Sequence, residues 1–107
     1  MSEQTILYVG AVQDLYVRVS GFMVDGQPAD PTQYAASLAL VASGEVVDES
    51  NWQQAEWVED ILPPEMKALF GDSEPLVAGT CWLYMLLQGT RERLIYQVER
   101  VRVKTRP

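Results

Sequence analysis

Residues 81–88, Cys-Trp-Leu-Tyr-Met-Leu-Leu-Gln, include only one side chain that prefers water. Gly89-Thr90-Arg91-Glu92 breaks the run. Residues 93–104 (RLIYQVERVRVK) then run back, rich in β-branched residues and alternating with charge. Two such runs about four turn residues apart predict a β-hairpin. On the first arm Trp82, Tyr84 and Leu86 share one face, and Cys81, Leu83, Met85 and Leu87 the other. A strand of a small domain buries one face in its own core. A second apolar face then needs a further layer or another chain over it.

The rest of the chain supplies partners for that hairpin. Residues 5–9 (TILYV) form a short apolar run, either an ordinary first edge strand or an arm that adds to a neighbour's sheet. Residues 14–20 (DLYVRVS) alternate, with Leu15, Val17 and Val19 on one face, the pattern of a half-buried strand. Residues 21–31 are turn-rich and contain Asp25-Gly26. Phe22, Met23 and Val24 in that loop either cap the core or form an exposed contact tip. Residues 32–41 predict a strand, with Tyr34, Ala36, Leu38 and Leu40 on one face and a small, flat opposite face. Helix is the competing assignment there, since Ala and Leu favour it.

Residues 42–51 read as a polar loop. Trp52 and Trp57 stand five apart, so a regular strand would point them to opposite faces, one toward the core and one at an edge. Residues 63–71 (PPEMKALFG) give the single helical signal. Pro sits in the first turn, Glu65 near the positive end, Gly71 at the cap, and Met66, Leu69 and Phe70 recur at i, i+3 and i+4. In the last strand Leu94, Tyr96 and Val98 share a face by even numbering, whereas Val101 and Val103 are odd. A β-bulge at Glu99-Arg100 would keep both sets facing inward. Arg100, Arg102 and Lys104 then line the opposite face, either as a solvated edge that discourages aggregation or as a docking stripe for an acidic partner.

Composition narrows the function classes. A chain of 107 residues that is 48% apolar suits one domain with one core. No apolar run reaches the roughly 18 residues of a membrane span. The first four residues lack a basic region ahead of an apolar stretch, so a signal peptide is not expected. Residues 91–107 carry a net charge of +4 against −11 for residues 1–90, making up the overall −7. The acidic bulk disfavours nucleic acid as a partner. Catalytic signals are missing: the chain has no His, no zinc spacing and no phosphate loop. Residues 25–30 (DGQPAD) start like a calcium loop but lack its closing Glu. Glu56, Glu59 and Asp60 read as a solvated acidic rim, and the single Cys81 as a buried reduced thiol. No catalytic residue, metal or cofactor is expected.

These elements predict an all-β, immunoglobulin-like β-sandwich over residues 1–107, with one short helix in a crossover loop and residues 1–11 as an arm or edge strand. A small β-barrel is the alternative. The pattern resembles the small sandwich proteins encoded among the virion structural genes of tailed phages, notably those infecting actinobacteria. The matching stretches are LYVRVSG (15–21), ADPT followed by ASLALV (29–41), NWQQAEW (51–57), AGTCWLYM (78–85) and VERVRV (98–103). The Pro-Pro segment before residue 65 and Cys81, where an aromatic is expected, depart from that pattern.

The resemblance implies a non-enzymatic virion protein, made in the host cytoplasm, whose partner is the major capsid protein or another virion subunit, with a homo-oligomer also allowed. Capsid decoration comes first, and a head–tail connector or tail subunit second. By residue type the contact set is Trp82, Tyr84, Tyr96, Arg100 and Arg102, with the Phe22-Met23 loop as a further contact. Two other classes stay open: a soluble inhibitor or regulatory binding protein, and a carbohydrate-binding module using Trp52, Trp57 and Trp82 as a platform.

Overall fold

The computed structural model describes residues 5–72 and 76–105. Its strands are β1 (Thr5–Tyr8), β2 (Gln13–Arg18), β3 (Met23–Val24), β4 (Gln27–Pro28), β5 (Ala35–Ala42), β6 (Trp52–Gln54), β7 (Glu56–Trp57), β8 (Glu65–Phe70), β9 (Gly79–Gln88) and β10 (Arg93–Lys104). Single 3₁₀ turns lie at Pro31–Gln33 and Glu49–Asn51. A large mixed sheet has the order β1-β10-β9-β5-β6, and a small antiparallel sheet the order β2-β8-β7. Taking β2, β8 and β7 as strands B, E and D, and β5, β9 and β10 as C, F and G, gives the two sheets of an immunoglobulin-like sandwich, with β6 as C′. β1 runs parallel to β10 at the edge of the large sheet, so residues 5–8 serve as a strand of their own domain.

One core joins the two layers. Leu15, Val17, Met66, Ala68 and Phe70 of the small sheet meet Leu7, Ala36, Leu38, Leu83, Met85, Leu87, Val101 and Val103 of the large one. β9 is central, pairing with β5 on one side and β10 on the other. Its odd-numbered Leu83, Met85 and Leu87 point inward, as the alternation requires. The register of β10 against β9 shifts between Gln97 and Glu99. That bulge reverses the parity of β10, so Leu94 before it and Val101 and Val103 after it all pack on the core.

The structure corrects the helix expected over residues 63–71. Residues 65–70 form β8, paired with β2 on one side and β7 on the other. The inward residues are Met66, Ala68 and Phe70, a period of two, and Leu69 points out. Helical spacing was suggested because Leu69 is apolar and Ala68 carries little signal. Two flanking strands pair along β8, whereas two isolated helical turns gain little. The helix in the crossover loop is therefore absent from the fold class, and the helical content of the described residues is the two 3₁₀ turns.

Two other segments resolve alternatives. Residues 21–31 contain the hairpin β3–β4, closed by Asp25 and Gly26 at φ +53° and +77°. Two positive φ angles are the signature of a type I′ turn. Phe22 folds under and meets Tyr34 edge-on at 5.4 Å, whereas Met23 is exposed. At Ala55 the chain passes from the large sheet to the small one. Trp52 thus belongs to β6, and Trp57 belongs to β7 and packs on the core.

Leu83 is fully buried at the centre of β9. Leu83→Ala should lower the unfolding free energy by about 2–5 kcal/mol, a large part of the roughly 5–15 kcal/mol of a domain this size. Urea denaturation followed by tryptophan fluorescence measures it. Gly71 has φ +91°, and an added Cβ would lie 2.0 Å from the Ala11 carbonyl oxygen. Gly71→Ala should therefore destabilise by more than about 1 kcal/mol in the same assay.

Candidate functional site

The outer face of the large sheet is the strongest candidate. It is built from the alternate residues that the core does not take. β9 contributes Trp82, Tyr84 and Leu86, and β5 contributes Ser37, Ala39 and Val41. Trp52 lies opposite Ala39 from β6. β10 adds Ile95 and Gln97 before the bulge, and Arg100 and Arg102 after it. Ile6 and Tyr8 flank the inward Leu7 on β1 and stand 40% and 41% exposed. Together these side chains form an apolar face edged with cations. No strand layer lies over it among the described residues.

Part of this face is shielded from within. Ala39, Val41 and Leu86 are buried although they point away from the core. Small Ala39 sits between its cross-strand neighbours Trp52 and Tyr84 and is fully buried. Trp82 and Tyr84 are half-buried. The Arg100 guanidinium stacks over Trp82, 5.2 Å from the ring centroid. Gln97 Nε2 donates to the Tyr84 hydroxyl at 3.3 Å. Arg93 and Glu49, on opposite sides of β9 and β5, form an ion pair at 2.6 Å. Such exposed contacts are worth only about 0–1 kcal/mol each, so a partner can displace them at low cost.

The charges on this face are unevenly matched. The ion pairs within 4.0 Å among the described residues are Arg18–Glu65, Lys67–Glu56 and Arg93–Glu49. Arg100, Arg102 and Lys104 enter none of them. The three cations stand at alternate turns of the pleat on the second half of β10, next to Ile6 and Tyr8 on β1. A guanidinium on an indole beside exposed aliphatic groups suits carboxylates set in an apolar surround.

The seven residues expected to make contacts fall into two groups. Trp82, Tyr84, Arg100 and Arg102 share the outer face. Phe22, Met23 and Tyr96 lie on the core side of the large sheet, beyond the reach of the small one, and Phe22, Met23 and Tyr96 help to line a groove of ≈ 430 Å³. Sequence reasoning missed Ile6, Tyr8 and Ile95. Their signal was alternation with Leu7, and with Leu94 and Tyr96, which becomes readable once the facing strands are known. The three tryptophans do not form one platform, because Trp57 belongs to the small sheet and donates its indole N–H to the Tyr34 carbonyl at 3.0 Å. That removes the three-Trp sugar surface.

Among the described residues, no three His, Cys, Asp or Glu side chains stand close enough together to hold a metal ion. The Cys81 thiol, half-buried rather than fully buried, is pushed up from its ordinary pKa by burial and secondarily by the Glu45 charge. Tyr34 donates its hydroxyl to Glu92, which raises the phenol pKa and pins the start of β10 to β5. Comparison of the chain with protein-family models, with curated proteins and with solved structures gives no match. What the fold and surface define is an all-β sandwich with one cation-edged apolar face.

The thiolate is the reacting form of a cysteine, so burial should slow the chemistry of Cys81. Alkylation by iodoacetamide at pH 8 should run at least about fivefold slower in the folded chain than in urea, as read by mass spectrometry. Equal rates would show that the thiol is not held up in the fold.

Proposed function

We propose that this chain is a non-enzymatic structural protein of a tailed-phage virion, docking through the outer face of its large sheet onto the major capsid protein shell. The observation that carries docking is the Trp82–Arg100–Arg102–Lys104 stripe, three cations outside any described ion pair on an apolar sheet face. Aromatic and Arg side chains are the usual anchors of protein interfaces. The Arg-on-Trp stack pre-positions one anchor, which lowers the ordering cost of binding. The assignment to a virion rests on the sequence resemblance, and the acidic bulk of the chain supports a protein partner over nucleic acid. A head–tail connector or tail subunit would use the same face on a different neighbour.

Reversing two charges tests it. Arg100→Glu with Arg102→Glu should fold normally, since both side chains are exposed, and should lower occupancy on purified particles by at least about tenfold. Unchanged occupancy would reject the stripe as the docking surface. Quantitative mass spectrometry of the particles separates the positions. Copies on the order of hundreds mean the shell, and about six or twelve mean the neck.

A further inference from the structure

A second feature stands apart from the outer face. β1 pairs only with Val101–Lys104, the last four residues of β10. Among the described residues, nothing pairs with the same edge of β10 over residues 93–98. Along it Ile95, Tyr96 and Val98 are 50%, 38% and 37% exposed. The small sheet stops at β2, and no described strand takes the place that strand A holds beside B in an immunoglobulin sandwich. Between these two edges lies the ≈ 430 Å³ groove, whose lining is mainly apolar, Val17, Val19, Met85 and Val98 among it, with Arg18 and Ser20 as its charged and polar members.

We infer that this seam is a strand-addition site, occupied by an extended segment of a protein partner that lies in the lane of β1 and hydrogen-bonds to the edge of β10 that no described strand takes. The inference rests on the docking role proposed above and specifies a second contact for it. A long, apolar, unpaired edge is a liability unless something covers it, and main-chain pairing is how extended peptides are captured. Six residues of edge give a lane about 20 Å long. The chemistry of the occupant follows from the two sides of the lane. Inward side chains enter the apolar groove. Outward ones pass Arg93, Ile95 and Gln97 and reach Arg100 at the far end. The fitting segment therefore has apolar residues at every second position and a carboxylate at each end. A second copy of β10 fits poorly. Antiparallel self-pairing about Tyr96, with the bulge taken into account, sets Arg93 against Arg100 of the other copy.

The probe is a synthetic seven-residue peptide, Glu-Val-Thr-Val-Thr-Val-Glu, which matches the Arg93-to-Arg100 span, titrated into the full chain under ¹⁵N NMR. Amide shifts and slowed exchange concentrated at residues 94–98 are expected. The same peptide with its valines placed together, or with lysine at both ends, should bind at least about tenfold more weakly. Val98→Lys should lower affinity by a similar factor while leaving the remaining spectrum intact. Shifts that avoid residues 94–98, no binding at peptide concentrations on the order of 1 mM, or equal binding of the rearranged peptide would overturn the inference. Binding seen only after removal of residues 2–4 would overturn it as well, since the chain's own start would then hold the lane. If particle binding depends on Arg100 and Arg102 but the titration is silent, the docking face stands and the strand-addition site does not. The opposite pair of results keeps the strand-addition site without the virion role.

Discussion

Everything in this molecule depends on one strand being apolar on both sides. β9 is held by β5 and β10, which satisfies its backbone, and Leu83, Met85 and Leu87 seal against the small sheet. The small sheet is three strands wide and the large one five, so only part of the inner surface can be covered. On the other side there is no second layer among the described residues. Trp82, Tyr84 and Leu86 must cover themselves with what the sheet itself supplies. Ala39 sits between Trp52 and Tyr84, Arg100 lies over Trp82, and Arg93 reaches to Glu49. Leu86 is sealed in this way. Ile6, Tyr8 and Ile95 are not, and they stay exposed on that face.

The bulge in β10 links the core to the surface. Without it, the side that receives Leu94 would receive Arg100 and Arg102, and Val101 and Val103 would face water. One extra residue between Gln97 and Glu99 keeps the valines inside and lines the cations up outside. It lies just before the stretch of β10 that pairs with β1. Thr5 donates its hydroxyl to Glu99 at 2.8 Å beside this point, so the start of the pairing between β1 and β10 is itself tied down. The cation stripe and the part of the β10 edge that β1 leaves uncovered among the described residues thus meet at this irregularity.

Much of this was legible in the chain. The alternation of Leu15, Val17 and Val19 named β2, the apolar run at 81–88 named β9, and the parity change between Val98 and Val101 required a bulge. The strand expected over 32–41, observed as Ala35–Ala42, was also legible despite its Ala and Leu content, because both neighbouring segments read as strands and a sheet needs the partner. Other parts depended on contacts distant in sequence. Met66, Leu69 and Phe70 fit a helix face and Met66, Ala68 and Phe70 a strand face, and pairing with β2 and β7 decided between them. The step at Ala55 that separates Trp52 from Trp57 has no local signal beyond their odd spacing. The sequence did not show on which face each of the seven expected contact residues would lie. Tyr96 and Arg100 lie on one strand yet face opposite sides, because the bulge intervenes.

Hydroxyl-radical footprinting of the chain, free and bound to purified particles, tests the central claim most directly. The outer face of the large sheet should become protected on binding, read at Ile6, Tyr8 and Trp82. Tyr16 and Leu69, exposed on the outer side of the small sheet, should react as they do in the free chain. Protection at Tyr16 and Leu69 with none at Tyr8 and Trp82 would contradict the account, because the self-shielded flank of β9 would then be an ordinary solvent face.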